Sequence, residues 1–118
     1  MIRKNKEYLE KLVKELISLS TETEWVEFKK NNADAKEIGE YISALANSAT
    51  LWNKEYGYMI FGIDNDTHKI VGTTFEYRKA KRGAEELEAW LSRMLSPRIN
   101  FKFYELKLNE LNITILEI

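Results

Sequence analysis

The sequence contains no cysteine, one proline and a single histidine, His68. Without cysteine the chain can form neither disulfides nor thiolate metal sites. No serine or cysteine nucleophile with a recognisable signature accompanies His68, which argues against Ser–His–Asp and Cys–His catalysis. No stretch approaches the roughly 18 consecutive apolar residues of a membrane-spanning helix. We therefore expect a cytoplasmic protein with no membrane contact.

The sequence also lacks an excess of charge of either sign, because 18 Lys and Arg residues oppose 19 Asp and Glu residues. Domains that bind nucleic acid through their overall field are usually strongly basic, so such binding here would depend on a local patch. The nearest glycine pair, Gly57 and Gly62, has neither the lysine of a Walker loop nor the spacing of a dinucleotide-binding motif. ATP binding has no local support in the sequence.

The hydrophobic periodicity predicts an α+β fold, a mixed β-sheet with helices packed on it. Apolar residues at helical spacing predict helices at residues 4–19, 34–50 and 85–96. Alternating or continuous apolar runs predict strands at residues 25–29, 57–63, 69–74, 100–108 and 111–118. The second and third of these strands are expected to pair as a hairpin around a polar turn.

The chain length indicates one main domain. We assign residues 1–21 to an N-terminal helix and residues 22–118 to the domain that follows it. The sequence stops at Ile118 inside a predicted strand. We therefore expect this domain to come from a longer protein with further domains.

The strand at residues 25–29 displays an acid between an aromatic and a cation. Side chains alternate across a strand, so Trp25, Glu27 and Lys29 share one face and Val26 and Phe28 the other. The apolar pair is expected to face the core. The opposite face is then either a solvated surface or part of a site.

A basic segment follows residue 75, with four cations against one carboxylate within seven residues. A run of this kind is most often a solvated loop, and it is also the strongest local candidate for phosphate contact. Tyr77 lies within it and is available for stacking on a base. With one lysine at the end of the first strand and one in the turn after it, the predicted nucleic-acid contacts are Lys29, Lys30, Arg78, Lys79, Lys81 and Arg82.

Carboxylates near the first strand are candidates for a cation site. Glu22, Glu24 and Glu27, together with Asp64 or Asp66, offer the oxygen ligands that Mg²⁺ or Mn²⁺ prefers. In one unbroken strand Glu22 and Glu27 fall on opposite faces, so they converge only if a turn precedes the strand. The alternative is that Asp64 and Asp66 are turn residues that bond their own backbone.

Four short motifs occur in a fixed order along the chain. They are Glu22-x4-Glu27-Phe28-Lys29, Ala44-Leu-Ala46-Asn47, Gly57-x4-Gly62-Ile63-Asp64 and Ile70-Val71-Gly72. In this order they resemble the Schlafen AlbA-2 domain, from about Glu22 to Ile118. Bacterial members of that family are named transcriptional regulators, DNA- or RNA-binding domains or divergent AAA-4 proteins, often without a demonstrated activity.

The resemblance implies an α+β domain with a nucleic-acid-associated role. In some animal relatives a metal-dependent acidic triad cleaves RNA, and by position the triad here would be Glu22, Glu27 and Asp64, with Asp66 as the substitute for the third. This chain departs from the family in the loop after Asn47, which is longer and carries Trp52 and Tyr56. Those aromatics could cover the site or offer a stacking surface.

Three hypotheses follow. The first is a nucleic-acid-binding module, for DNA or RNA, of a bacterial-type transcriptional regulator. The second is a metal-dependent endoribonuclease that uses the triad with Mg²⁺ or Mn²⁺ while Lys29 stabilises phosphate charge. The third is an interaction domain without a ligand. A homodimer would supply the second lobe that the animal nucleases use to clamp RNA.

Overall fold

A four-stranded mixed sheet organises the chain in the computed structural model, which describes residues 5–20, 23–31 and 34–118. Numbered in chain order, the strands of this sheet lie side by side as β1 (Val26–Lys29), β2 (Tyr58–Phe61), β6 (Leu111–Glu117) and β5 (Lys102–Leu108). The β1–β2 pair is parallel, and the other two pairs are antiparallel. The α+β fold with a mixed sheet is therefore confirmed.

Three helices and a small hairpin complete the described part of the chain. The helices are α1 (Lys6–Ile17), α2 (Ala35–Leu51) and α3 (Leu87–Met94), and the hairpin pairs β3 (Lys81–Arg82) with β4 (Glu85–Glu86). Within the described residues, none of the helices combines the length and the apolar character needed to cross a membrane.

The sheet is covered on both faces because alternate strand residues point to opposite sides. One face packs against α1 and the other against α2 and α3. The first cluster includes Leu9, Val13, Leu16, Val26, Phe28, Ile60 and Ile115. The second includes Ile38, Ile42, Met59, Phe61, Leu91 and Leu116. The continuous apolar run of β2 is explained by this two-sided burial, since all four of its residues are buried.

Parallel pairing of β1 and β2 requires a crossover, and α2 supplies it. The helix begins at Asp34, whose carboxylate accepts a hydrogen bond from the Lys36 amide at 3.0 Å. At the far end of the helix the chain enters β2 through Gly57. The Gly62 amide then donates to the Lys29 carbonyl at 2.7 Å. This bond places residues 62–64 beside the carboxyl end of β1.

Residues 69–74 do not form the predicted strand and contribute an isolated bridge instead. Gly62, at φ 109°, turns the chain out of β2, and its carbonyl accepts from the amides of both Val71 and Gly72 at 2.8 and 2.9 Å. Two amides that donate to the same carbonyl close a loop. They do not extend the hydrogen bonding of a pair of strands. The predicted strand at residues 69–74 was wrong because this largely solvent-accessible segment folds back onto the Gly62 carbonyl instead of pairing along β2.

The third helix is shorter than the predicted residues 85–96. Glu85 and Glu86 pair with β3, so the helix starts at Leu87, and it ends at Met94, before Pro97. The cross-strand pairing sets Lys81 opposite Glu86. Opposite charges facing each other favour a short hairpin here.

The contact between Gly57 and α2 gives a test of the fold. A Cβ atom at Gly57 would lie 2.8 Å from the Leu45 carbonyl oxygen, whereas one at Gly39 would meet a Leu91 methyl at an ordinary 3.6 Å. We expect Gly57→Ala to lower the free energy of unfolding by about 1–3 kcal/mol, because backbone must shift. Gly39→Ala, in a helix interior, should raise it by about 0.5–1 kcal/mol.

Urea denaturation of both variants beside the parent protein measures these changes. Equal stability of the parent and Gly57→Ala would contradict the close helix–strand approach.

Candidate functional site

The exposed face of β1 carries an ion pair next to an aromatic ring. Val26 and Phe28 are buried, as alternation predicts, and Glu27 and Lys29 are partly exposed. The Lys29 ammonium lies 3.6 Å from the Glu27 carboxylate and 4.8 Å from the centroid of the Tyr41 ring on α2. Contact with the Tyr41 side chain, ahead of the Glu27 charge, raises the pKa of Lys29 above its ordinary value. The Lys29 ammonium is therefore fixed in place by Glu27 and Tyr41 and stays protonated.

Asp64 caps the turn that follows β2. Its Oδ1 accepts hydrogen bonds from the amides of Asp66 at 2.9 Å and Thr67 at 3.0 Å, and its Oδ2 lies 3.2 Å from the Lys30 ammonium. The Thr67 amide, then Lys30 and the Asp66 amide, lower the pKa of Asp64 to about 2. Both oxygens of this carboxylate therefore have partners, as the turn interpretation predicts.

Glu27 lines a small polar pocket of about 130 Å³, together with Ser20, Thr23, Asn65 and His68. His68 adopts a left-handed backbone, at φ 59°, and its Nδ1 lies 3.0 Å from the Ile17 carbonyl oxygen. A carbonyl can only accept, so in this bond Nδ1 carries the proton and Nε2 is the acceptor of the neutral ring.

Sequence reasoning set His68 aside because no nucleophile accompanies it. Two signals in the sequence single it out, the uniqueness of this histidine and its position in a turn just after a buried strand. Neither signal could show that α1 supplies the other wall of the pocket. That information lies in the tertiary packing of a helix about 50 residues earlier in the chain.

The acidic triad is not assembled by the residues that the structure describes. Glu22 lies outside them, Glu27 is paired with Lys29, and Asp64 is occupied by its turn and Lys30. Across residues 5–20, 23–31 and 34–118, no group of three His, Asp or Glu side chains is placed to hold a metal ion. The described carboxylates therefore do not form a Mg²⁺ or Mn²⁺ site by themselves.

The basic segment is anchored by its aromatic residues. Phe75 and Tyr77 are buried in the cluster under α2 and α3, and the Tyr77 ring stacks on Phe103 with a centroid distance of 4.7 Å. The prediction that Tyr77 is available to stack on a base is therefore wrong. The Tyr77 ring packs in the core instead. This packing fixes the backbone from which Arg78 and Lys79 project into solvent.

The cations of this segment do not form a uniformly positive surface. Lys79 lies 3.1 Å from Glu76, and Arg78 lies 4.0 Å from the carboxylate of Glu105 on β5. The Arg82 guanidinium stands 5.4 Å from the centroid of the Trp90 ring on α3. Lys81 and Arg82 are both exposed on β3.

The electrostatics of Asp64 lead to a pH prediction. Its folded pKa is depressed below the ordinary 3.8, so it stabilises the fold above about pH 3.8, and this contribution is lost as the pH falls towards 2. We expect Lys30→Ala to raise the pKa of Asp64 part of the way back, because the amides of Asp66 and Thr67 remain. A carboxyl ¹³C NMR titration measures it, with Lys11→Ala as the control. An Asp64 pKa that is the same in Lys30→Ala and the parent would show that the ion pair is absent in solution.

Comparisons with known proteins agree with this architecture. The family model described as Schlafen, AlbA_2 matches residues 22–118. Among solved structures, the chain is similar to the solution NMR structure of the N-terminal domain of a RecG-related protein from Nitrosomonas europaea, with a TM-score of 0.56 and 21% identity. That alignment covers 90% of this chain and 69% of the other.

At that identity the structural likeness shows the fold alone. A comparison with functionally curated proteins finds no match. The family match spans most of the sequence and includes all six strands and two of the three helices of the described structure. The chain therefore belongs to the Schlafen AlbA_2 family.

Proposed function

We propose that this chain is a nucleic-acid-binding domain of a bacterial-type transcriptional regulator, and that it contacts phosphates through exposed cations. The observation that carries the proposal is the anchored basic segment. Buried Phe75 and Tyr77 hold its backbone, so that its cations are presented from a fixed frame. The predicted contacts in this segment are Arg78, Lys79, Lys81 and Arg82.

The carboxylates near these cations do not prevent phosphate contact. The Lys79 and Arg78 side chains are 79% and 77% exposed, and exposed ion pairs contribute only about 0–1 kcal/mol. Arg82 lies opposite Glu85, but the Glu85 carboxylate is already held by Arg93 at 2.7 Å. Phosphate oxygens can therefore replace or join these partners at little cost.

Lys29 and Lys30 are a second candidate contact. Lys29 is the last residue of β1 and Lys30 follows it, beside the carboxyl end of β2, the edge at which parallel strands commonly present ligand-binding groups. The similar N-terminal domain belongs to a protein named as related to an ATP-dependent DNA helicase, which supports a nucleic-acid partner here. Family membership supports the same partner.

Salt dependence tests this proposal. Phosphate contacts release counterions, so affinity for a single-stranded or duplex oligonucleotide should fall steeply between 50 and 200 mM salt, as measured by fluorescence anisotropy. We expect Lys81/Arg82→Ala to weaken binding and to reduce the slope of log affinity against log salt by about 2. Lys11/Lys14→Ala removes the same charge from the exposed face of α1 and is the matched control.

Two outcomes would contradict the proposal. One is no binding of DNA or RNA by the parent protein at low salt. The other is an equal loss of affinity in the variant and the control, which would show that affinity depends on the net charge of the chain and not on the basic segment.

A second candidate function is a metal-dependent endoribonuclease, and the position of Glu27 favours it. This carboxylate lines the polar pocket with His68 rather than lying on an open surface. If the chain cleaves RNA, incubation of tRNA with Mn²⁺ should give products, and Glu27→Gln should abolish them. Glu88→Gln, on the exposed face of α3, is the control. Cleavage that survives Glu27→Gln would exclude Glu27 from the reaction.

An interaction domain without a ligand is the third candidate, because β5 is a seven-residue strand at one edge of the sheet. An edge strand offers unpaired backbone groups to a second chain. Light scattering distinguishes the candidates: a homodimer that fails to bind oligonucleotides would favour this function over the first.

A further inference from the structure

Two tryptophans meet in a cleft that none of the proposed phosphate contacts uses. Trp25 directly precedes β1, and Trp52 directly follows α2. Since α2 returns the chain from the carboxyl end of β1 to the start of β2, both indoles lie at the amino end of the parallel pair. With Glu24, Ser20 and Thr23 they line a cleft of about 200 Å³.

Trp52 is held in place although it is 57% exposed. Its indole Nε1 donates a hydrogen bond to a Glu24 carboxylate oxygen at 2.9 Å, and its backbone amide donates to the Ser48 carbonyl at the end of α2. An exposed indole gains little folding stability from burial, so the bond to Glu24 serves mainly to fix the ring. A fixed and accessible aromatic face is a preorganised binding surface.

A cation lies beside the cleft, next to the Trp25 ring. Asn53 adopts a left-handed backbone, at φ 55°, and the Lys54 amide turns back to donate to the Ala49 carbonyl at 2.8 Å. This reversal carries the Lys54 ammonium to 5.1 Å from the centroid of the Trp25 ring. The cleft therefore offers two indole rings and one carboxylate, with one ammonium group against the Trp25 ring.

We propose that this tryptophan cleft binds one unpaired base of a single-stranded nucleic acid, with the base stacked on Trp52 and the neighbouring phosphate near Lys54. The inference rests on the proposed nucleic-acid-binding function and names the form of nucleic acid that the domain selects. Bases of every kind stack on exposed aromatic rings, and a duplex keeps the faces of its bases covered.

The chemistry of the cleft favours a base over other ligands. Its volume is below the roughly 300 Å³ of the smallest drug-sized pockets, which suits one ring system. The Glu24 carboxylate repels a phosphate group, so the backbone of the strand stays outside. Aromatic rings with a carboxylate can also bind a quaternary ammonium, but Lys54 already places a positive charge on Trp25.

The test compares three probes of equal length: a single-stranded oligonucleotide, the same strand as a duplex, and an abasic strand that keeps only sugars and phosphates. We expect the parent protein to bind the single strand more tightly than the abasic strand or the duplex. Trp52→Ala should weaken single-strand binding by about 5- to 100-fold and leave abasic binding unchanged. Trp52→Phe should restore most of the affinity, because it retains an aromatic face.

Leu51→Ala is the matched control, since Leu51 is the neighbouring apolar residue and is 75% exposed, outside the cleft. A Trp90→Phe protein adds a direct readout. Its emission comes from the two cleft tryptophans, because the chain has three tryptophans in all. We expect quenching by the single strand and none by the abasic strand.

The outcomes separate this inference from the proposed function. If none of the three probes binds at low salt, the nucleic-acid-binding function itself fails. If only the duplex binds, the function stands and the base site is refuted. If the single strand and the abasic strand both bind and Trp52→Ala weakens them equally or not at all, the domain binds phosphates and the base site is refuted. Quenching by tetramethylammonium, with no preference of the protein for single strands over abasic strands, would assign the cleft to an ammonium ligand instead.

Discussion

The parallel pairing of β1 with β2 is the constraint on which the rest of the structure depends. A parallel pair needs a crossover, and a 17-residue helix supplies it by running the full depth of the sheet. The pair thereby has two ends, each with a candidate site. Lys29, Lys30 and the Asp64 turn lie at the carboxyl end, and the two tryptophans lie at the amino end. The same geometry brings Gly57 against the helix, where no side chain fits without a shift of the backbone.

Several cations of this domain lie next to carboxylates and do not combine into one extended positive surface. Lys29 has Glu27, Lys30 has Asp64 and Lys79 has Glu76. The chain as a whole is nearly neutral, with a net charge of −1 from 18 basic and 19 acidic residues. Under the proposed function, each exposed lysine would exchange its carboxylate for a phosphate, so binding would be weak for any single contact and would depend on several acting together.

The larger elements were predictable from the sequence, because each is specified by a local pattern. The helical stripe of α2, the capping Asp34 and the continuous apolar run of β2 all lie within a few residues of one another in the chain. The loop at residues 69–74 was not predictable, because its conformation depends on the Gly62 carbonyl accepting two amides. Local patterning does not distinguish such a loop from a strand.

The site was predictable to a smaller degree for the same reason. Lys29, Glu27 and Asp64 were identified from their order in the sequence, but their partners depend on tertiary contacts. Tyr77 illustrates the difficulty. An aromatic ring within a basic segment can stack on a nucleic-acid base or pack in the core, and Tyr77 packs in the core against Phe103. The cleft of Trp25 and Trp52 joins residues 27 positions apart, and only the path of α2 brings them together.

The N-terminal helix has a consequence for what counts as the domain. Leu9, Val13 and Leu16 bury themselves against the same face of the sheet as Val26 and Phe28, yet they precede the residues that the family model matches. Without α1 that face would present a contiguous apolar surface to water. The segment that packs into one core is therefore longer than the segment that the family model matches.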